Sequence, residues 1–305
     1  MPLCRGAWQW RLALQAETSQ SSDASIGGVG ERAIADELPA WSIDREALLA
    51  EPLYSAWAMD DARGWAWGGS TGAGVRVCIV DSGVDASHPA VGLVASAVAV
   101  SEAEDGTLAV HDDAEGDLFG HGTACAGIVR KLAPDCEIHS VRVLGGDLTG
   151  SGQVLVRGLR WAIEQGFEVI NLSMSTTKSK FSADLRELTD LAYFRGAVVV
   201  ASAHNMPVES FPWRFSAVVS VGSHSGADPL EYYANPRPPV EFAAPGVDIE
   251  LAWLDGATIR ATGNSFATPH IAGIAALVLS KHPGMRPFEL KAALRAAGSN
   301  VRSAE

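Results

Sequence analysis

The stretch Val75-Arg76-Val77-Cys78-Ile79-Val80-Asp81-Ser82-Gly83 is a run of apolar, mostly β-branched residues that ends in a carboxylate, a hydroxyl and a glycine. A short apolar run stopped by turn residues reads as a buried strand. From Val75 onward such runs alternate with stretches of helical spacing, the pattern of a parallel sheet covered on both faces. Cys136–Leu144, Phe167–Ser173 and Ala197–Ala203 read as further strands. Leu155, Leu159, Ala162 and Ile163 recur at helical spacing, and so do Leu185, Leu188 and Ala192. A terminal helix starts at Pro287, turns Leu290 and Leu294 inward and is stopped by Gly298. The expected fold class is α/β, three-layered, with a mostly parallel sheet between helices.

Two later stretches put a reactive side chain where that sheet would end. Gly120-His121-Gly122-Thr123 and Gly263-Asn264-Ser265-Phe266-Ala267-Thr268-Pro269 each open a small-residue, apolar stretch that reads as a buried helix. Strand C-termini and helix N-termini meet at one edge of a parallel sheet, where open α/β folds place their ligands. Asp81, His121 and Ser265 are therefore expected together. Serine is a weak nucleophile that needs a neighbouring base, and histidine suits that task near neutrality. A buried carboxylate fixes the imidazole tautomer and stabilises the imidazolium that forms. Helix N-termini also offer free N–H groups and a positive dipole end, so Ser265 can lend its own N–H to a developing oxyanion. The strand Ala197–Ala203 delivers His204 and Asn205 to the same edge. Taken singly, Asp-Ser-Gly is an ordinary strand-to-turn junction. Proline a few residues into a long apolar helix is less ordinary.

The order Asp81, His121, Ser265, with the motifs around each, resembles the subtilisin-like serine peptidases. The resemblance implies cleavage of peptide bonds, with the Asn205 side chain as oxyanion donor. Gly150-Ser151-Gly152 is similar to the family's extended edge that pairs with the substrate backbone, although alone it reads as a loop before a helix. Ser173-Met174-Ser175 resembles one wall of the primary specificity pocket. Ser175 and His204 stand where the family has glycine, which implies a narrower or more polar pocket and restricted specificity. Glu209 could put a carboxylate at the pocket base, against the simpler reading of a solvated loop. Asn264 and Phe266 stand where Thr and Met are common. Cys125, one helical turn after His121, matches proteinase K-like members and reads as a neighbour of the base. A zinc site from His121, Cys125 and Cys136 lacks any Cys-x-x-Cys pair. The longer loop that holds calcium in many secreted members has no counterpart, so no metal and no cofactor are expected. The acidic residues Asp112, Asp113, Glu115 and Asp117 read as a solvated loop, with a weak cation site or a site for basic substrate residues as the alternatives.

The chain has 305 residues and a net charge of −13, which argues against binding a phosphate backbone. No apolar run reaches membrane-spanning length, and the N-terminal residues lack the apolar stretch of a secretory signal. Four cysteines in a chain this long make no disulfide framework, so a cytoplasmic setting is expected. Ala16–Gly30 is polar and small, a linker by composition. Residues 1–50 are expected to form an N-terminal extension and 51–305 the peptidase domain, with Trp57, Trp65 and Trp67 packing the start of its first strand. The expected partner is a peptide or protein substrate. A peptide-processing protease or macrocyclase is the alternative enzyme, and an inactive binding scaffold the alternative outside catalysis. All four of Asp81, His121, Ser265 and Asn205 being present weighs against the scaffold.

Overall fold

The run Arg76–Asp81 forms an interior strand of the sheet because Val77, Cys78, Ile79 and Val80 are apolar on both faces, as a strand covered from both sides must be. The computed structural model describes residues 38–50, 52–55 and 61–303. Helix α1 (Arg45–Ala50), strand β1 (Leu53–Ser55) and helix α2 (Ala62–Trp67) precede β2 (Arg76–Asp81). Strands β3 (Val94–Glu102) and β4 (Leu108–Asp112) lead to α3 (His121–Leu132), β5 (Glu137–Arg142) and α4 (Gly152–Glu164). Then come β6 (Val169–Leu172), α5 (Ser182–Arg195), β7 (Val198–Ser202), β8 (Val219–His224), β9 (Tyr233–Ala234) and β10 (Phe242–Pro245). A hairpin of β11 (Ile249–Ala252) and β12 (Thr258–Ala261) precedes α6 (Asn264–Lys281), α7 (Pro287–Ala296) and β13 (Val301–Ser303).

Among the described residues the main sheet has nine strands in the order β4-β3-β5-β2-β6-β7-β8-β10-β9. The seven from β3 to β10 run parallel, and the edge pairs β3·β4 and β9·β10 are antiparallel. The strand order reverses between β2 and β6, which puts a switch point beside Asp81. Alternation along β2 sorts the layers. Val77 and Ile79 pack with the residues of α3 and α6, while Cys78 and Val80 pack with those of α4 and α5. The three-layer α/β fold read from the sequence is the one observed. Helix α6 is buried from Asn264 to Leu279 except at Ser265, so it runs through the core rather than along the surface.

Some expectations need correction or lie out of reach. Trp67 is buried in the core as expected, but Trp65 is 42% exposed and stacks on His282 instead, ring centroids 4.6 Å apart. The Ala16–Gly30 linker, Trp57 and the boundary at Glu51 fall outside the described residues. Residues 38–50, expected within the N-terminal extension, hydrogen-bond to the body of the domain. No helix of the described residues is long and apolar enough to cross a membrane.

Candidate active site

Asp81 is the last residue of β2 and wholly buried. Its Oδ1 accepts from the Ser82 N–H and from His121 Nδ1, each at 2.8 Å. Bound at Nδ1, the imidazole has its other nitrogen, Nε2, left to take or give a proton. Two glycines allow this approach. A Cβ at Gly122 would stand 1.9 Å from the Gly83 carbonyl oxygen, and Gly83, at φ +106°, would drive one into the Gly116 carbonyl. The Asp-Ser-Gly turn and the start of α3 therefore interlock only without side chains at those two places.

Burial alone would push the His121 pKa down. Asp81 outweighs it, so the pKa stands well above the usual value for histidine. Cys125 sits against the same carboxylate, its Sγ 3.9 Å from Asp81 Oδ2 and 3.9 Å from the Ser265 carbonyl oxygen. Burial raises the Cys125 pKa, which leaves a neutral thiol at ordinary pH. Its charge therefore adds nothing to the shift of His121. Asp81, His121 and Cys125 form the one group of potential metal-ligand atoms among the described residues, and all three are buried. The Asp81–His121 hydrogen bond already occupies two of its ligand atoms.

The acidic stretch before His121 is a solvated loop only in part, which corrects half of the expectation for it: Asp112 and Glu115 are exposed, whereas the Asp113 and Asp117 side chains are buried. The Asp113 side chain is fully buried under Arg142, which also binds Glu115. Asp117 is 9% exposed and ties the site together. Its Oδ1 accepts from the N–H groups of Phe119 (3.0 Å) and Gly120 (2.8 Å) and from Ser82 Oγ (2.8 Å). Its Oδ2 accepts from the Thr123 N–H at 2.8 Å and from Thr123 Oγ1. Ser82 Oγ in turn accepts from the Gly122 N–H at 3.1 Å. One carboxylate thus joins the strand that bears Asp81 to the helix start that bears His121. Sequence reading missed this role. The signal was Asp followed at i+2 and i+3 by the N–H groups of a turn, the spacing of an Asx turn.

Ser265 lies in the first turn of α6, next to Phe266, whose ring centroid is 5.1 Å from that of His121. Pro269 lacks the N–H that would normally bond the Ser265 carbonyl four residues back. Ser173 Oγ donates to that carbonyl instead, at 2.8 Å, and accepts from Asn171 Nδ2 at 3.0 Å. Asn205 follows β7, and its Oδ1 accepts from the Asn264 N–H at 2.9 Å. This fixes which end of the amide is free. A Cβ at Gly263 would be 3.2 Å from Ser265 Oγ and 3.4 Å from Asn205 Nδ2, so the serine hydroxyl and the free amide N–H₂ border the same space. The Asn264 side chain, one residue before the serine, faces away from that space and bonds Ser223 and Ala40.

The remaining residues expected at subsites are less uniform. Ser151 is the N-cap of α4, accepting from the Val154 N–H. Gly152 is buried where the Phe181 ring leaves no room for a Cβ, so the stretch is in part the loop before a helix. Met174 points into the α4/α5 core and Ser175 is buried. Thr176, next in line, exchanges both backbone hydrogen bonds with Phe211 at 2.9 Å. His204 is half-buried, with Nδ1 accepting from the Met206 N–H at 2.9 Å, and burial lowers its pKa. Glu209 is an exposed partner of Arg214, which agrees with a solvated loop and not with a charged pocket base.

The subtilase family model matches residues 72–303. The chain is 31% identical to subtilisin DY of Bacillus licheniformis over 248 residues, 76% of this chain and 86% of that protein. It is 34% identical to the subtilisin of Bacillus pumilus over 233 residues, 70% of this chain and 80% of that one. The crystal structure of a cold adapted subtilisin-like serine proteinase superposes with a TM-score of 0.60 at 26% identity, covering 76% of this chain and 86% of the other.

Proposed function

The chain belongs to the subtilase family and is a serine-type endopeptidase, and from there we propose that Asp81, His121, Ser265 and Asn205 carry its chemistry. Ser265 Oγ attacks the scissile carbonyl while His121 Nε2 takes its proton. Asp81 steadies the imidazolium, and the carbonyl oxygen, now negative, is met by Asn205 Nδ2 and the Ser265 N–H. His121 then returns the proton to the leaving amine, and water resolves the acyl-enzyme by the same route. The observation that carries this reading is the buried Asp81–His121 hydrogen bond of 2.8 Å, on the sheet edge where Ser265 and Asn205 border one space. A fluorophosphonate probe is expected to label Ser265, and Ser265→Ala to lose labelling and cleavage with an unchanged fold. Labelling elsewhere, or undiminished cleavage by the variant, would overturn the assignment.

The substrate is a peptide or protein, cleaved with restricted specificity. Ser175 and His204 add side chains where the related enzymes have hydrogens. Overpacking a close-packed wall costs ~1–3 kcal/mol. If this falls only on bulky substrates, it is worth roughly ten- to over a hundredfold in rate. Cleavage after Phe, Tyr or Leu is expected to be poor and cleavage after small residues better, with Ser175→Gly plus His204→Gly broadening the range. A peptide library cleaved as readily after aromatic as after small residues by the unchanged enzyme would remove this reading. Folding needs no calcium and catalysis no cofactor, so thermal unfolding in excess chelator should match that in calcium. A melting temperature that falls with chelator and returns with calcium would reveal a site built from other residues. The three described cysteines are free and buried, which suits a reducing, cytoplasmic compartment. Recovery of the active enzyme from the extracellular fraction would count against that setting.

A further inference from the structure

Residues 38–43 precede the span that matches the family, yet they reach the oxyanion side of the site. The Ala40 N–H donates to the Asn205 carbonyl at 2.8 Å, and the Ala40 carbonyl accepts from Asn264 Nδ2 at 2.7 Å. Ser42 Oγ is 2.6 Å from Ser223 Oγ, and the Ile43 N–H donates to the Ser223 carbonyl at 2.9 Å. Ser223 gives its N–H and hydroxyl to Asn264 Oδ1, at 2.9 and 2.8 Å. The Asn264 side-chain amide thus bridges the segment and the sheet, its Nδ2 on Ala40 and its Oδ1 on Ser223, beside the direct bonds of Ala40, Ser42 and Ile43. A threonine, common at this position in the family, is too short to serve both.

The segment is held from outside as well. Trp41 has φ +69°, a conformation that non-glycine residues rarely adopt and that persists only when the surroundings enforce it. Its ring rests on buried Trp213 at 5.3 Å. Its carbonyl oxygen would be 2.4 Å from a Cβ at Gly222, so that glycine admits the segment. Just beyond, Arg45 forks onto Glu231 at 3.2 and 2.8 Å.

We propose that Pro39–Ile43 is a strap that positions the oxyanion donor, a part of the catalytic apparatus supplied from outside the family-matched span. Asn205 is gripped at two places: its carbonyl by Ala40, and its Oδ1 by the N–H of Asn264, itself tied to Ala40. Together these set the direction of Asn205 Nδ2. A donor aimed at developing charge works through its preorganisation, and a misplacement of about 1 Å can cost ~10²-fold. The strap thus acts on the transition state through Asn205, and this inference rests on Asn205 being the oxyanion donor.

The test uses the full-length chain with Trp41→Gly, Asn264→Thr, Arg45→Ala and, as reference, Asn205→Ala. Active sites are titrated with a fluorophosphonate so that only folded enzyme is counted. In Trp41→Gly and Asn264→Thr, kcat is expected to fall roughly tenfold while KM stays within about threefold, short of the ~10²–10³ that loss of a whole donor costs in subtilisin itself. Affinity for a peptide boronic acid, whose tetrahedral adduct occupies the oxyanion site, should fall in step with kcat. Arg45→Ala, remote from the chemistry, should lose about twofold in the same manner. The double variant Trp41→Gly/Asn264→Thr should lose less than the product of the single effects, since both loosen one strap. If kcat per titrated site and boronate affinity hold in Trp41→Gly and Asn264→Thr while Asn205→Ala loses both, the strap is packing alone and the inference fails. An Asn205→Ala enzyme with full kcat would instead remove the donor assignment beneath it.

Discussion

Around His121 the helix start is shaped mostly by a close neighbour in the chain, Asp117, whereas around Ser265 the geometry comes from distant segments. The His121 ring itself is bound by Asp81, 40 positions away. Asp117 accepts from residues two, three and six positions on, and reaches Ser82 beside Asp81. Ser265 and the residue before it are held instead by Ser173, Asn205 and Ala40, which lie 92, 59 and 224 positions away. The first half is a local motif closed around one buried carboxylate. The second is a meeting of segments far apart in the chain. Damage to the base half should therefore cost stability along with activity, and damage to the nucleophile half should cost turnover first.

The sharpest cut on the base side is Asp81→Asn. The amide keeps the shape but favours the wrong imidazole tautomer, which in a related triad lowers kcat about 10⁴-fold. A loss of that order is expected here in steady-state kinetics. Without the carboxylate, burial alone governs His121, so the ascending limb of the pH–rate profile should also move to lower pH. A variant within tenfold of the parent would mean that Asp81 does not orient the base.

Asp117 tests whether the base half fails as a unit. In Asp117→Ala the N–H groups of Phe119, Gly120 and Thr123 lose their acceptor together. Buried groups left unpaired cost about 1–3 kcal/mol each, so a loss of ~3–5 kcal/mol is expected in denaturant unfolding. Asp117→Asn should recover only part of it. Either orientation of the amide turns its N–H₂ toward a backbone donor. Should both variants unfold like the parent, the clamp carries no load and the contrast between the halves disappears.

Much of this architecture was legible in the sequence, and the rest has physical reasons for being hidden. The strands β2 and β7 announce themselves because burial on both faces favours near-continuous apolar runs. Strands β5 and β6 announce themselves too, keeping Ile138, Val141, Val169, Ile170 and Leu172 around their buried polar residues. The antiparallel pair β3·β4 does not, since an edge leaves Glu102, His111 and Asp112 in water and dilutes the pattern. Asp81, His121, Ser265 and Asn205 stand at element ends that topology brings to one edge, so local motifs sufficed to gather them. Asp117 was hidden because composition cannot tell a buried carboxylate with five donors from a solvated one. The side-chain bonds of Ser173 and Asn264 could not be read either, because each depends on a partner that only the folded chain brings near.

The pH profile of the unaltered enzyme offers a smaller effect. The imidazole must be neutral to accept the serine proton, and its pKa stands above the ordinary histidine value of about 6.5. Activity should therefore rise with pH on a limb whose midpoint lies above that value. Stability should respond in the opposite sense. Because the folded-state pKa is the higher one, the contribution of the Asp81–His121 pair is complete below about pH 6.5 and fades as pH climbs through the folded value. A limb centred below 6.5 would mean that burial outweighs Asp81.

Cys125 is the seam between the halves, with Sγ against Asp81 Oδ2 on one side and the Ser265 carbonyl on the other. Its effect should be the smallest of all. At 3.9 Å to each oxygen the thiol makes at most weak hydrogen bonds, and the Ser265 carbonyl keeps its stronger one from Ser173. Burial raises its pKa, so no thiolate is present to help hold the proton on His121. Cys125→Ala should accordingly keep kcat within about threefold, and its pH limb should overlay that of the parent. Removing the sulfur leaves a small cavity, worth ~1–2 kcal/mol of stability. A small organomercurial should inhibit the parent by forcing apart the two groups that the thiol touches, and the variant should not respond. If instead the limb of Cys125→Ala drops toward that of a free imidazole, a charged sulfur was lifting the His121 pKa, and the two halves are joined by an ion pair and not merely by contact.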